Sequence, residues 1–364
     1  MSEQVSFRRA KAGRQQTVCL LGLVDAAFRN QSDPSQPLTR VLQFSLEARS
    51  DWYANDLKQY VFGLCEYTRP DNGKKHFVSV SYEGEVTFQT FPEVIERIPE
   101  AGMEPLTSGG LRGRTYGVRQ IGQALFVCGE SGQLYRRYAD GTWHQVSELI
   151  LQDLQAYSLR QLEREKASKA RTIGESIEED RHNGAEEDRK ASLQEGALKE
   201  FKNINGPTEH EIYASGSNGG LLLWNGTTSR WIENLPKTNL FGILVDDEQT
   251  TWVCGSEGTL VRGTAQDGFR DLSPGGELSF NTLTQFKGRI YLTTNGGFGG
   301  PVGLWTYERG RLAPVTTGLK PDIHDIHTVD SADGILWAVG FKDVLCFDGT
   351  TWTRIDYPDN PPVR

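Results

Sequence analysis

The sequence predicts an all-β protein, specifically a β-propeller built from four-stranded blades, and two observations support this prediction. A pattern of apolar residues, a glycine and a tight turn recurs along the chain, as in "FVCGESGQLYRR" (126–137) and "WVCGSEGTLVRG" (252–263). The 364 residues also include 40 Gly and 15 Pro, which favour turns, and 8 Trp, 12 Tyr and 16 Phe, which favour buried sheet faces. A repeat of this length is typical of propeller blades.

The recurring segments are predicted to be β-hairpins. Four further copies are "HFVSVSYEGEVTF" (76–88), "IYASGSNGGLLLW" (212–224), "IYLTTNGGFGGPVGLWTY" (290–307) and "LWAVGFKDVLCF" (336–347). A large aromatic residue lies near the start of each hairpin: Phe77, Phe126, Tyr213, Trp252, Tyr291 and Trp337. Their spacings are 49, 87, 39, 39 and 46 residues, so one interval has about twice the length of the others.

Each hairpin forms the centre of a larger unit. An alternating run precedes it, such as "FGILVDDE" (241–248), and a second turn with a short strand follows it, as in "FDGTTWTRI" (347–355). Asp-Gly and Asn-Gly supply the positive φ that tight hairpin turns need. The unit is therefore four antiparallel strands, A to D, and such sheets bury their faces and protect their edges by closing into a ring.

The N-terminal region divides into a first blade with the strands "VSFRRAKAG", "TVCLLGLVD", "RVLQFSLEA" and "DWYAND". Counting it predicts seven blades, and six blades with an irregular N-terminal strand pair is the alternative. The predicted domain organisation is blades 1–3 in residues 1–148, a charged insertion in 149–201 and blades 4–7 in 202–364.

The units "LWAVG…VLCFDGTTWTRI" and "WVCGSEGTLVRG" resemble the bacterial propeller repeats of the WD40, YVTN and BNR-like superfamily, over roughly residues 60–358. BNR repeats carry an Asp-box, of which only "DGTW" and "DGTTW" are present here. The resemblance implies the fold and no catalytic residue. The matching residues are expected to serve turns and blade packing: Asp140, Gly141, Trp143, Asp348, Gly349 and Trp352.

The double interval contains the insertion, whose composition of Ala, Glu, Lys, Arg, Gln and Leu is typical of helices. Short amphipathic stripes occur at both ends, from Leu151 to Leu162 and from Leu193 to Phe201. We expect a helical pair that meets near Asn183 and Gly184. Two interpretations remain open, a solvated loop and an arm that grips a partner protein.

Antiparallel geometry predicts which end of the propeller binds a partner. The B–C turn and the connection from strand D to the next strand A emerge at the same end of a blade. The insertion and residues 319–328 are D–A connections, and 295–303 is a B–C turn, so three long loops share one end. The predicted partner-binding residues are Tyr157, Arg160, Arg164, Glu178, Glu179, Phe298, His324 and Asp325.

Motifs for chemistry are weak, and the sequence predicts no catalytic, cofactor-binding or metal-binding residue. His324 and His327 lie three residues apart in "HDIH", and no third metal ligand is identifiable. The Gly-rich turn lacks the Lys and the helix of a phosphate loop. The five cysteines contain no CxxC pair, and we expect them to be small buried hydrophobic residues.

Charge and hydropathy bound the function. A formal net charge of −9 argues against nucleic acid and favours a basic protein partner. The absence of a long apolar run predicts a cytoplasmic protein that does not bind membranes. The predicted function is that of a non-catalytic protein-binding propeller, an inhibitor or immunity-type protein that neutralises a toxin or enzyme. Apart from its partner, the protein is predicted to be a monomer. The alternatives are a glycan-binding protein or hydrolase with a central-channel site, and a scaffold.

Overall fold

Seven four-stranded antiparallel sheets follow one another along the chain, and each has its strands in sequence order. A computed structural model describes residues 4–28, 35–48, 52–105, 111–147, 200–295 and 301–360. The predicted seven-bladed propeller is thereby confirmed, and the six-bladed alternative is wrong. All four strands of the N-terminal blade form where the alternating apolar pattern placed them.

Three blades precede the predicted insertion. Blade 1 consists of β1 (Val5–Gly13), β2 (Thr17–Val24), β3 (Thr39–Ser45) and β4 (Tyr53–Leu57). Blade 2 consists of β5 (Val61–Thr68), β6 (Lys75–Ser81), β7 (Glu85–Phe88) and β8 (Val94–Arg97). A two-stranded ribbon follows, β9 (Gly102–Pro105) and β10 (Leu111–Gly113). Blade 3 consists of β11 (Thr115–Ile121), β12 (Ala124–Gly129), β13 (Leu134–Arg137) and β14 (Trp143–Gln145).

Four blades follow the insertion. Blade 4 consists of β15 (Phe201–Thr208), β16 (Glu211–Gly216), β17 (Leu221–Trp224) and β18 (Ser229–Trp231). Blade 5 consists of β19 (Leu240–Val245), β20 (Thr251–Gly255), β21 (Leu260–Thr264) and β22 (Gly268–Asp271). Blade 6 consists of β23 (Phe280–Phe286), β24 (Arg289–Thr294), β25 (Gly303–Glu308) and β26 (Arg311–Pro314). Blade 7 consists of β27 (Thr328–Ala332), β28 (Ile335–Val339), β29 (Val344–Phe347) and β30 (Trp352–Ile355).

The insertion lies almost entirely outside the described residues, and with it the predicted helical pair. Its last predicted residue, Phe201, is described, and it differs from the expectation of a helical stripe. Phe201 opens β15 and is fully buried. The apolar side chain that suggested the end of an amphipathic helix is instead the first core residue of blade 4. Within the described part of the chain, the helical segments are the short 3-10 turns Ala26–Phe28 and Glu130–Gly132.

The hydrophobic core lies between the blades. The described residues form seven buried clusters, and each joins two adjacent blades. The cluster between blades 7 and 1 includes Phe7 and Trp337, both fully buried. Since every sheet buries both faces against its neighbours, the ring itself supplies the apolar burial that one isolated blade lacks.

The ring closes between blade 7 and blade 1 without a shared strand, because each sheet is one continuous chain segment. Polar contacts supplement the apolar cluster at this seam. Asp330 accepts hydrogen bonds from Lys11 Nζ at 2.5 Å and from Ala12 N at 2.9 Å. Lys342 Nζ donates to Asp25 at 2.5 Å and to the Val5 carbonyl at 2.8 Å.

Each blade has two different ends. B–C turns and D–A connections lie at one end, which we call the loop face; A–B and C–D turns lie at the other end, which we call the turn face. The strand order assigns to the loop face the connections 148–200 and 315–327 and the turn 295–302. The ribbon β9–β10, which the sequence did not predict, is a fourth elaboration of this face. No helix in the described ranges is long and apolar enough to cross a membrane.

Candidate partner-binding site

A pocket of about 380 Å³ opens at the centre of the loop face, where the central channel begins. We call it the mouth pocket. It is built by blades 1, 2, 6 and 7. The lining residues are Arg8, Arg9, Leu23, Tyr60, Val61, Phe62, Tyr82, Asn281, Asn295, Val302, His327 and Phe341. Asn295 and Val302 border the predicted glycine-rich turn, and His327 lies in the predicted connection 319–328, so the pocket adjoins two of the three predicted loops.

β-Bulges place several of these side chains. In β1, Phe7 pairs with Gly22 and Arg9 with Leu21, which leaves Arg8 as the extra residue. Five other A strands shift register at the same point, and their extra residues are Phe62, Tyr116, Lys202, Phe241 and Asn281. A bulge leaves its extra residue outside the strand pairing and re-aims its side chain. The repeated bulges therefore place a set of large polar and aromatic side chains around the start of the channel.

Aromatic rings form one wall of the mouth pocket. The Phe62 ring centroid lies 5.8 Å from that of Tyr82 and 5.3 Å from that of Tyr116. Tyr60 extends this cluster, with its centroid 6.1 Å from Tyr82. Tyr60 is 42% exposed and Phe341, across the pocket, is 40% exposed. Large aromatic side chains exposed to this extent on one face are typical of interaction surfaces.

Two guanidinium groups enter the pocket. The Arg9 guanidinium lies over the Phe62 ring at 4.4 Å, and that of Arg8 lies over Phe341 at 5.1 Å. Burial lowers the pKa of Arg9 to about 10, so its side chain is still a cation at neutral pH. The described residues that line the pocket include no carboxylate. A protein with a net charge of −9 thus has a locally positive centre on its loop face.

His327 forms the wall between these cations. Its Nδ1 lies 3.1 Å from the Asp325 carbonyl oxygen, which can only accept, so Nδ1 carries the proton. The ring stacks on Phe341 with a centroid distance of 4.5 Å. Burial lowers the pKa of His327 and outweighs the opposite effect of Asp325, and the nearby charges of Arg8 and Arg9 also lower it. The imidazole is therefore neutral at pH 7, and its Nε2 is buried without a hydrogen-bond partner among the described residues.

Below the mouth pocket, the inner A strands line a narrow channel. Its charged lining residues are Arg9, Lys11, Arg119, Lys202 and Asp330. Asp330 is the single carboxylate among these described lining residues, and Lys11 and the Ala12 amide already engage it. Lys202 lies over the Tyr116 ring at 4.1 Å and pairs with Glu200 at 2.8 Å. The described channel wall therefore offers cations and no second carboxylate for general acid–base chemistry.

Two of the eight predicted partner-binding residues can be located. Tyr157, Arg160, Arg164, Glu178, Glu179 and Phe298 lie outside the described residues. His324 is exposed in the connection before β27. Asp325, in the same connection, accepts a hydrogen bond from the Phe341 amide at 2.8 Å, so its carboxylate positions the pocket wall.

Sequence reasoning missed Arg8, Arg9 and Phe341, and it considered His327 only as a candidate metal ligand. Arg8 and Arg9 occur in a strand segment that the sequence located correctly, but a register shift of one residue is not visible in an alternating pattern. A weak signal did exist, because Phe62, Tyr116 and Phe241 each occupy the second position of their A strands. Aligning the A strands of blades 2 to 6 would have shown this shared position, but not Arg8, which is the fourth residue of β1, or Phe341, which follows β28.

The Asp-Gly turns have the structural role that the sequence predicted. Asp348 accepts hydrogen bonds from Thr350 N and Oγ1, both at 2.6 Å, and these contacts lower its pKa to about 2. Gly349 has φ of 102°. Trp352 stacks on Phe347 with a centroid distance of 4.7 Å. In blade 3, Asp140 accepts from Thr142, Gly141 has φ of 87° and Trp143 is buried, so both turns fold and pack their blades.

All five cysteines are buried and free, as predicted. Burial raises the pKa of Cys65, Cys128 and Cys254 to about 12, so these thiols are neutral. Cys19, in the cluster between blades 1 and 2, is also fully buried. Across the described ranges, no three His, Cys, Asp or Glu side chains are grouped closely enough to hold a metal ion.

Comparison with known proteins shows similarity to a curated protein in sequence and to solved structures in fold. No family model matches the chain. Over 256 residues it is 27% identical to the immune protein Tsi7 of Pseudomonas aeruginosa, a match that covers 68% of this chain. The match spans 66% of the length of Tsi7.

Solved structures share the propeller fold. The structure of YCF48 bound to D1 peptide superposes with a TM-score of 0.56 at 11% identity, over 98% of this chain and 94% of YCF48. The WD40 β-propeller domain of Doa1 superposes with a TM-score of 0.54 at 10% identity, over 95% of this chain and 93% of that domain. The chain is therefore similar in fold to WD40-type propellers and similar in sequence to a bacterial immune protein.

Proposed function

We propose that this protein is a non-catalytic propeller that binds and neutralises a partner protein, as an inhibitor or immunity-type protein in the cytoplasm. The observation that carries the proposal is the 27% identity to an immune protein over 256 residues. A match of that length extends over several blades, so the similarity is not limited to the repeat pattern of a single blade. The partner is a toxin or enzyme, and the loop face binds it.

The composition of the mouth pocket supports a protein partner. Aromatic residues and arginine are enriched among the residues that dominate binding energy at protein interfaces. Here Arg8, Tyr60 and Phe341 are all exposed at the centre of the loop face. The insertion connects blades 3 and 4 at the same end of the propeller, and for it we propose a helical structure that extends the contact area.

The side chains that line the channel favour a binding function over a catalytic one. A hydrolase site needs paired carboxylates or a nucleophile beside a base. In the described channel lining the one carboxylate, Asp330, is engaged in closing the ring. The thiols of Cys128 and Cys254 are buried and neutral, and they are poor nucleophiles because the thiolate is the reactive form.

Charge and cysteine content support the remaining parts of the proposal. A net charge of −9 favours association with a basic partner by long-range attraction. Five free cysteines suit a reducing compartment such as the cytoplasm. We further propose that the protein is a monomer until it binds its partner, and that it binds neither nucleic acid nor membranes.

Affinity capture of the tagged protein from its native organism, followed by mass spectrometry, tests this function. We expect one partner in stoichiometric amount, whose toxic or enzymatic activity falls when the propeller is added. Recovery of no stoichiometric partner, or of a partner whose activity is unchanged, would refute the proposal.

A second experiment tests the role of the insertion. Replacing residues 160–195 with a short Gly-Ser linker should leave the ring folded, because the replaced segment connects two complete blades. We expect the variant to keep the circular dichroism and unfolding transition of the wild type and to bind the captured partner more weakly. Undiminished affinity would show that the insertion is a solvated loop.

A further inference from the structure

The mouth pocket contains positive charge that none of the described residues neutralises. The side chains of Arg8 and Arg9 have neither an ion pair nor a hydrogen bond with any other described residue; their contacts are the aromatic rings of Phe341 and Phe62. By contrast, Lys11, Arg40 and Arg137 each form an ion pair with a carboxylate of the propeller. The two arginines of the pocket thus carry unneutralised charge in a protein with an excess of acidic residues.

The geometry of these arginines leaves their donors available. An aromatic ring occupies one face of a guanidinium and leaves the N–H groups, which lie in its plane, free to donate. A carboxylate accepts two such bonds in parallel, and the pairing strengthens where water is excluded. Burial of Arg9 raises the cost of leaving this charge unpaired. The site is therefore prepared for an anion.

The walls of the pocket select the type of anion. Phe62, Tyr82 and Phe341 present apolar ring surface beside the guanidinium groups. The methylene groups of an acidic side chain can pack against such rings, whereas inorganic phosphate has no apolar part. A volume of about 380 Å³ is within the range of small-ligand pockets and accommodates one side chain.

We propose that the mouth pocket binds a carboxylate of the partner protein, so that an acidic side chain of the partner inserts between Arg8 and Arg9 and contacts Phe62 and Phe341. This inference rests on the proposed function, because it supplies the central contact of that interface. The proposal is compatible with a partner that is basic overall, since one acidic side chain at the centre of the interface is sufficient to fill the pocket.

Isothermal titration calorimetry at low ionic strength tests the inference without the partner. The probes are tetraglutamate with blocked termini, tetraglutamine with blocked termini, and inorganic phosphate. We expect tetraglutamate to bind at a single site and tetraglutamine not to bind. Arg9→Met and Arg8→Met should each weaken tetraglutamate binding by roughly tenfold or more. Arg270→Met, which removes an exposed guanidinium on β22, should bind as the wild type does.

Arg8 is exposed, so Arg8→Met remains informative if Arg9→Met fails to fold. Binding of phosphate without tetraglutamate would refute the acidic side chain as the occupant. Absence of binding by any probe, or equal tetraglutamate affinity in the wild type and in both folded variants, would refute the anion site. Partner capture is independent of these outcomes. A propeller that captures and inhibits its partner but ignores tetraglutamate would refute this inference and leave the proposed function standing.

Discussion

At the scale of single residues, the repeated Cys-Gly pair has a steric explanation. Gly129 and Gly255 end strand B of blades 3 and 5. A β-carbon at these positions would lie 2.3 Å from the Arg114 carbonyl oxygen and 2.1 Å from that of Asn239. Both oxygens belong to the backbone just before strand A of the same blade. The repeat pattern was visible in the sequence, but its cause, the close approach of two backbones, required the structure.

The substitution Gly255→Ala should therefore destabilise the protein strongly. We expect a loss of about 3 kcal/mol or more in the free energy of unfolding, because a backbone oxygen cannot move aside as a flexible side chain can. The control is Gly310→Ala, where a β-carbon meets nothing within 4 Å and φ is 79°. This control should cost only about 1–2 kcal/mol, the penalty for a left-handed alanine. Urea unfolding measures both, and equal losses would contradict the steric explanation.

His327 makes the stability of the protein depend on pH. Its pKa is lowered in the folded state, mainly by burial. The unfolded chain therefore binds the proton more readily, and folding becomes less favourable as the pH falls below about 6.5, the ordinary pKa of histidine. Above that pH the neutral ring is present in both states, and the contribution of His327 to stability is complete.

Removal of the imidazole should reduce this pH dependence. We expect the free energy of unfolding of His327→Gln to fall less than that of the wild type between about pH 7.5 and about pH 5.5. His324→Gln removes an exposed imidazole three residues earlier and should keep the slope of the wild type. Urea titrations at several pH values provide the measurement, and parallel curves for all three proteins would exclude His327 as the source.

At the scale of strands and blades, the sequence predicted more than at the scale of residues. Alternating apolar residues and Asp-Gly turns located the strands of blade 1 and of blades 5 to 7, because sheet periodicity and turn chemistry are local properties. The ribbon β9–β10 was missed, since its strands contain only 4 and 3 residues. The contacts at the seam between blades 7 and 1 were also not predictable, because Lys11 and Asp330 are 319 residues apart.

The seam should be sensitive to loss of Asp330. Its carboxylate is 17% exposed and accepts bonds from two donors of blade 1. Asp330→Ala leaves Lys11 and the Ala12 amide without this partner, and we expect a loss of about 2–4 kcal/mol. The control is Glu308→Gln, which breaks the ion pair between Glu308 and Arg289. Because these side chains are 46% and 56% exposed, respectively, this substitution should cost less than about 1 kcal/mol. Thermal unfolding measures both losses. Equal loss of stability in the two variants would show that the Asp330 contact does not stabilise the seam.

At the scale of the whole molecule, closure of the ring determines where function can lie. Each blade buries its two faces against its neighbours, which leaves the two ends of the propeller and the outer edges accessible. Strand order alone assigned the long connections to one end, and this could be derived from the sequence. The cationic and aromatic mouth pocket could not be derived from the sequence, because its residues come from blades 1, 2, 6 and 7 and lie together only in the closed ring.

The most direct test of the account compares one charge reversal on each end of the propeller for binding of the captured partner. Arg8→Glu changes the mouth pocket on the loop face, and Arg309→Glu changes a C–D turn on the turn face, where the side chain is 91% exposed. Measured by surface plasmon resonance, Arg8→Glu should weaken binding by roughly a hundredfold, and Arg309→Glu should leave it unchanged. Full affinity in Arg8→Glu together with a loss in Arg309→Glu would place the partner on the opposite end and contradict the account.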